Sequence, residues 1–187
     1  MQLTGCGREG TVMTQKEMLS HVDHTQLKAF ATWQDIEKLC EEAIRFQTAS
    51  VCIPPTYIKR VKDAYGDRVN ICTVVGFPLG YSVTQAKIEE TRQALSDGCN
   101  EIDMVVNISD VKNGLYDKVE EYIKTSTGFG TGGATKEDVE LFRKHIGPGV
   151  KIKAAGGVQT LEDLEMFLAL GCDRVGTSRA VALCGEP

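Results

Sequence analysis

The chain has 187 residues, 42% of them hydrophobic and 25% charged, with a net charge of −5 and a pI near 5.3. That balance describes one soluble globular domain with a sizeable core. It carries no basic run and no basic patch interleaved with aromatics, which excludes nucleic acid as a main partner. No apolar stretch approaches the ~18 residues that span a bilayer, so no membrane partner is expected.

The first ten residues, Met-Gln-Leu-Thr-Gly-Cys-Gly-Arg-Glu-Gly, lack the apolar core of a signal peptide. Residues 1–12 read as a loose extension with Met1, Met13 and Met18 as eligible starts, and residues 13–187 as a single domain. From there short β-rich runs alternate with amphipathic segments. Strands are expected at 19–24, 49–53, 69–75, 101–107, 122–127, 151–155 and 174–177. Thr32 and Asp35 have the spacing of a capping box opening a helix with Ile36, Leu39, Cys40, Ala43 and Ile44 on one face. A second helix runs from about Thr84 to Asp97 and stops at Gly98. Thr135 and Asp138 open a third, with Val139, Phe142 and Ile146 on one side. Thr160 and Asp163 open a fourth, with Leu161, Leu164, Phe167 and Leu168 inward and Gly171 at its end. Such alternation predicts a parallel sheet with helices outside. A closed TIM (β/α) barrel is the leading architecture and an open doubly wound sheet the runner-up; no Gly-x-Gly-x-x-Gly follows the first strand, which counts against a Rossmann domain.

Seven cysteines are scattered without a Cys-x-x-Cys pair, several inside apolar runs. This is the pattern of free thiols in a reducing, cytoplasmic compartment. His21 and His24 flank Asp23, but a catalytic zinc usually takes three protein ligands, and no metal is expected.

Strand parity points to chemistry. In 101–107, Asp103 lies opposite Ile102 and Met104; in 151–155, Lys153 lies opposite Ile152 and Ala154; in 122–126, Lys124 lies opposite Ile123. One such charge can face solvent on an open sheet. Three, each just upstream of a loop, predict a polar lumen near the C-terminal rim of a barrel. Burial and like charge both disfavour an ammonium, so two neighbouring lysines predict one amine partly neutral near pH 7 and nucleophilic toward a carbonyl carbon. Lys124 and Lys153 fit nucleophile and neighbour in either order, with Asp103 as a proton relay through water or a simple counter-ion. Glycine loops at 156–157 and 176–178 follow the last two strands, where barrels often hold phosphate on backbone N–H groups.

The chain resembles the 2-deoxyribose-5-phosphate aldolase family. The resemblance rests on Val-Asp-His-Thr-Gln-Leu-Lys (22–28), Ala-Ser-Val-Cys-Ile (49–53), Cys-Thr-Val-Val-Gly-Phe-Pro-Leu-Gly (72–80), Glu-Ile-Asp-Met-Val-Val-Asn (101–107), Ile-Lys-Thr-Ser-Thr-Gly-Phe (123–129), Lys-Ala-Ala-Gly-Gly-Val (153–158) and Gly-Thr-Ser (176–178). It implies a TIM barrel and reversible cleavage of 2-deoxy-D-ribose 5-phosphate to acetaldehyde and D-glyceraldehyde 3-phosphate. It assigns Lys124 as the Schiff-base nucleophile, Lys153 as the lysine that tunes it, and Asp103 as the acid/base partner. Gly156, Gly157, Gly176 and Ser178 fall where the family holds phosphate, and Cys52 where a cysteine lines the pocket. No metal or organic cofactor is implied, because the protonated imine is itself the electron sink. The partner is a small-molecule sugar phosphate.

One departure is large. The family carries a further strand between those bearing Asp103 and Lys124; here residues 113–121 run straight into 122–124. About one βα unit, on the order of 40 residues, is expected to be missing near 119–122, leaving an incomplete barrel of seven strands. Unpaired edges at the gap would favour a homo-oligomer. Two outcomes follow: an aldolase, or a sugar-phosphate-binding relative without turnover.

Overall fold

Side-chain oxygens set most helix starts. Thr14, Thr32, Thr135 and Thr160 each accept a hydrogen bond from the backbone N–H three residues on, and the acid at that position accepts one from the threonine N–H. The computed structural model describes residues 13–107, 109–110, 113, 122–124, 132–145 and 151–183, with backbone alone at 122–124, 145 and 181. The helices are α1 (Gln15–Leu19), α2 (Trp33–Phe46), α3 (Ile58–Tyr65), α4 (Thr84–Ser96), α5 (Lys136–His145), α6 (Leu161–Ala169) and α7 (Ala180–Leu183). The strands are β1 (Val22–Thr25), β2 (Ser50–Ile53), β3 (Ile71–Val75), β4 (Glu101–Met104), β5 (Tyr122–Lys124), β6 (Lys151–Ala155) and β7 (Arg174–Thr177).

All seven strands form one parallel sheet in the order β4-β3-β2-β1-β7-β6-β5. Pairing of the first described strand with the last, Asp23 opposite Gly176, joins the two ends of the strand sequence as in a barrel. It removes the doubly wound alternative, whose strand order reverses at a switch point. β4 and β5 terminate the order and approach within 8 Å between Cα atoms, yet no ladder joins them among the described residues. The sheet is a cylinder open along one seam.

Two apolar layers separate sheet from helices. Val22, Ile152, Ala154 and Val175 pack against Leu19, Val139, Phe142, Leu164 and Leu183. Val51, Ile53 and Ile71 pack against Ile36, Leu39, Cys40, Ile58 and Ala94. The inner face holds Cys52, Cys72 and Val74 alongside the polar groups described below.

Several expectations need correction. Leu19 belongs to α1, not to a strand, and β1 begins at Val22. β4 ends at Met104 rather than at 107. Ile44 is exposed, because α2 turns it away from β2. The helix α3 was not expected. Residues 1–12, 119–121 and 125–131 and the side chain of Lys124 lie outside the described residues, as do Ile146, Cys6 and Cys184.

Candidate active site

Lys153 stands on the inner face of β6, 4% exposed. An ammonium that deep costs several kcal/mol unless it is paired. Its Nζ is 2.6 Å from Asp23 Oδ2 on β1 and 3.1 Å from Asp103 Oδ2 on β4. Burial pulls the Lys153 pKa down, but attraction to the Asp103 and Asp23 carboxylates outweighs it and holds the ammonium well above the ordinary lysine value. Lys153 is therefore a permanent cation at neutral pH.

Asp23 is the hub of the network. Its Oδ1 accepts a hydrogen bond from Ser50 Oγ at 2.7 Å and lies 3.5 Å from Arg174 Nε. Arg174 Nη2 in turn reaches Glu101 Oε1 at 3.3 Å, linking β7 to β4 across the base of the cylinder. Cys72 Sγ is 4.0 Å from Lys153 Nζ, and its hydrogen bond with Cys52, followed by burial, keeps the Cys72 thiol protonated well above the usual range. Cys52 is fully buried beneath the rim as the register partner of Cys72.

Lys124 ends β5 in register with Lys153. Gly176 is buried in β7, and a Cβ there would sit 3.3 Å from Lys153 Cε and 3.2 Å from Ala155 Cβ. This glycine keeps the lumen clear for the Lys153 stem, a requirement invisible in a glycine read only as a phosphate contact.

Above this layer a cavity of about 260 Å³ opens at the C-terminal rim, bordered by Thr25, Gly156, Gly157, Gly176, Ser178 and Arg179. Gly156 and Gly157 take φ values of +81° and +78°, which side chains rarely adopt. Ala134 N–H donates to the Gly156 carbonyl at 2.9 Å and holds that loop in place. The four expected phosphate-loop residues thus share one cavity. Asp103 and Lys153 meet below it, and Cys52 lies deeper in the lumen.

Sequence reasoning missed Asp23, Arg179 and Lys28. Asp23 was weighed only as a metal ligand beside His21 and His24, yet it is committed to Lys153, while His24 turns outward to Glu42 at 2.8 Å. Among the described residues no group of three His, Cys, Asp or Glu side chains is arranged to hold a metal ion.

Residues 17–122, more than half of the chain, match the family model described as "DeoC/LacD family aldolase". The chain belongs to this aldolase family. A deoxyribose-phosphate aldolase of Clostridium botulinum (strain Alaska E43 / Type E3) is 57% identical to this family member over 212 aligned positions, covering 91% of this chain and 96% of its own. That alignment exceeds the 187 residues present here, so at least 25 positions of the relative have no counterpart. The deoxyribose-phosphate aldolase of Clostridioides difficile (strain 630) is 44% identical, covering 87% of this chain and 93% of its own. Among solved structures, a Coccidioides immitis protein provisionally assigned as a deoxyribose-phosphate aldolase superposes with a TM-score of 0.84 at 28% identity, covering 93% of this aldolase-family chain and 87% of its own. A tetrameric deoxyribose phosphate aldolase from Aeropyrum pernix shares the fold, with a TM-score of 0.79 at 24% identity and coverage of 92% and 91%.

Proposed function

We propose that this chain is a deoxyribose-phosphate aldolase that reversibly cleaves 2-deoxy-D-ribose 5-phosphate to acetaldehyde and D-glyceraldehyde 3-phosphate. One observation carries the reading: a buried cation, Lys153, is clamped between Asp23 and Asp103 one strand away from Lys124. The names and full-length coverage of the relatives support the same activity. The non-catalytic alternative is not favoured, because the relatives that match over nearly their whole length are named as aldolases.

In this reading the uncharged Lys124 amine adds to the C1 aldehyde of the open-chain sugar and water leaves, giving a protonated imine. A base removes the C3 hydroxyl proton, the C2–C3 bond breaks, and its electron pair moves into the imine to form an enamine. Glyceraldehyde 3-phosphate departs. Protonation at C2 and hydrolysis return acetaldehyde and the free amine. Asp103 serves as the acid/base partner through water, and Lys153, a cation in contact with its carboxylate, positions it for proton transfer and disfavours a second ammonium at position 124. Gly156, Gly157, Gly176 and Ser178 hold the phosphate, and Cys52 contributes to the pocket floor. The proposed enzyme is one barrel domain over residues 13–187 with a βα unit missing near 119–122. The buried free thiols among the described residues support a cytoplasmic location, and the tetrameric A. pernix relative supports a homo-oligomer.

Incubation with deoxyribose 5-phosphate and borohydride, followed by peptide mapping, is expected to find the reduced adduct on Lys124. Lys124→Arg should abolish it, because a guanidinium stays protonated. An adduct on another lysine, or none on folded protein, rejects the assignment. Phosphate-ligand binding without acetaldehyde release would select the non-catalytic alternative.

A further inference from the structure

The inner face of the cylinder carries a second ionic layer beneath the Lys153 group. Strand alternation puts Glu101 two residues before Asp103 on β4 and Arg174 two residues before Gly176 on β7, so both face the lumen at its base. Arg174 Nη2 lies 3.3 Å from Glu101 Oε1, which also accepts a hydrogen bond from Asn70 Nδ2. A cavity of about 300 Å³ opens there, bordered by Asn100, Glu101 and Arg174 and, on its inner side, by Asp23, Asp103 and Lys153. Neither Arg174 nor Glu101 borders the rim cavity. The aldol chemistry above gives this lower layer no task.

Stability alone is a weak reason for such a layer, because a buried ion pair is often no more stabilising than apolar side chains of the same volume. Arg174 does more than tie β7 to β4. Its Nε lies 3.5 Å from Asp23 Oδ1, longer than a good hydrogen bond, so its hold on the catalytic layer is one of charge. Asp23 gives its other oxygen to Lys153 at 2.6 Å, closer than the 3.1 Å from Lys153 to Asp103. One ammonium thus serves two carboxylates unequally. A second cation beside Asp23 offsets part of its negative charge and leaves more of the Lys153 ammonium to Asp103. Without it the balance tips toward Asp23, and the acid/base carboxylate loses its cation.

We infer that Arg174 is a positioning residue for the aldol reaction: from the base of the cylinder it balances Asp23 and so keeps the Lys153 ammonium shared with Asp103. This rests on the aldolase reading for the reaction, though not for the placement of the ammonium.

The test compares R174M, R174K, R174A and E101Q in deoxyribose 5-phosphate cleavage, alongside heteronuclear NMR of the Lys153 ammonium, assigned by its absence in Lys153→Arg. The Arg174 side chain is 26% exposed, so methionine replaces it without a sealed void, and urea midpoints check the fold of each variant. R174M should lower kcat about tenfold, as for a displaced proton-transfer group, and leave KM within about twofold, since the rim cavity is untouched. R174K should recover part of the loss as a point charge without the fork. Guanidinium at millimolar concentration, admitted by the basal cavity, should recover part of the activity of R174A, and urea, its neutral near-isostere, should not. E101Q breaks the tie between β4 and β7 but leaves Arg174 beside Asp23, so its kcat should stay within about threefold of wild type, the worth of a half-exposed pair. The Lys153 ammonium signal should shift in R174M and hold in E101Q. An unchanged kcat or an unshifted signal in R174M, equal losses in R174M and E101Q, or recovery of R174A by urea as large as by guanidinium would overturn the inference, equal losses being the mark of a structural tie between strands. A signal that shifts in R174M and not in E101Q, with no cleavage by the wild-type chain, would reject the aldolase reading and leave the placement of the ammonium by Arg174 standing.

Discussion

Lys153 decides most of what this site can do. It is a charge between two carboxylates, so the Asp23–Lys153–Asp103 group is net negative when all three are ionised. Removing the ammonium would leave two buried carboxylates facing each other. Lys153→Met is expected to cost about 3–5 kcal/mol, read from urea denaturation. In any protein that remains folded, unopposed carboxylates favour a charged Lys124, so the acid limb of the pH–rate profile should move to higher pH. An unmoved limb would assign the tuning of Lys124 to desolvation alone. The same ion group predicts an alkaline signature. The folded-state pKa of Lys153 is raised above 10.5, so below pH 10.5 both folded and unfolded chains hold the proton and the stabilisation is complete. Above it the unfolded chain releases its proton first, and stability falls as pH climbs through the folded value. Thermal unfolding of wild type and Lys153→Met should therefore differ less above pH 10.5 than at neutral pH. Gly176→Ala tests the room left for this side chain. Its methyl would press on Lys153 Cε from 3.3 Å, and kcat is expected to fall about tenfold, as for a displaced proton-transfer group.

At the scale of elements, the loop that borders the rim cavity is continuous with a capped helix. Thr160 caps α6 three residues after Gly157, and backbone hydrogen bonds from Gln159, then from Thr160, hold the Asp163 carboxyl below its ordinary pKa. Thr160→Ala should cost about 1 kcal/mol, measured as a lowered urea midpoint, and should raise KM for the phosphorylated substrate as the loop loosens. Such caps are legible in sequence because threonine and its acid sit three residues apart. The α3 helix was not, since it follows Pro54–Pro55 without a side-chain cap. Leu19 misled for a related reason: an apolar residue at the end of a short helix and one at the start of a strand look alike. Asp103 and Lys153 were readable because a charge at alternate positions of an apolar run has few bland explanations. Asp23 was not, because its partner lies five strands away in sequence, and Arg179 was not, because a loop arginine is ordinary until the cavity beside it is seen.

For the whole molecule, the seam matters most. β1 is flanked by β2 and β7, whereas β4 pairs only with β3 among the described residues. Among β1 to β4, amide hydrogen exchange is expected to be slowest in β1 and fastest in β4; equal protection would mean the seam is bridged in solution. Besides the Arg174–Glu101 pair at the base, the lumen near the seam is crossed by the ion group, in which one ammonium on β6 holds the first strand and the fourth. Opening of the cylinder and disassembly of the proton relay are then a single event. Loss of turnover would report the loosening of the scaffold before any spectroscopic change in helix content, and a bound sugar phosphate would act as a staple across the parted staves.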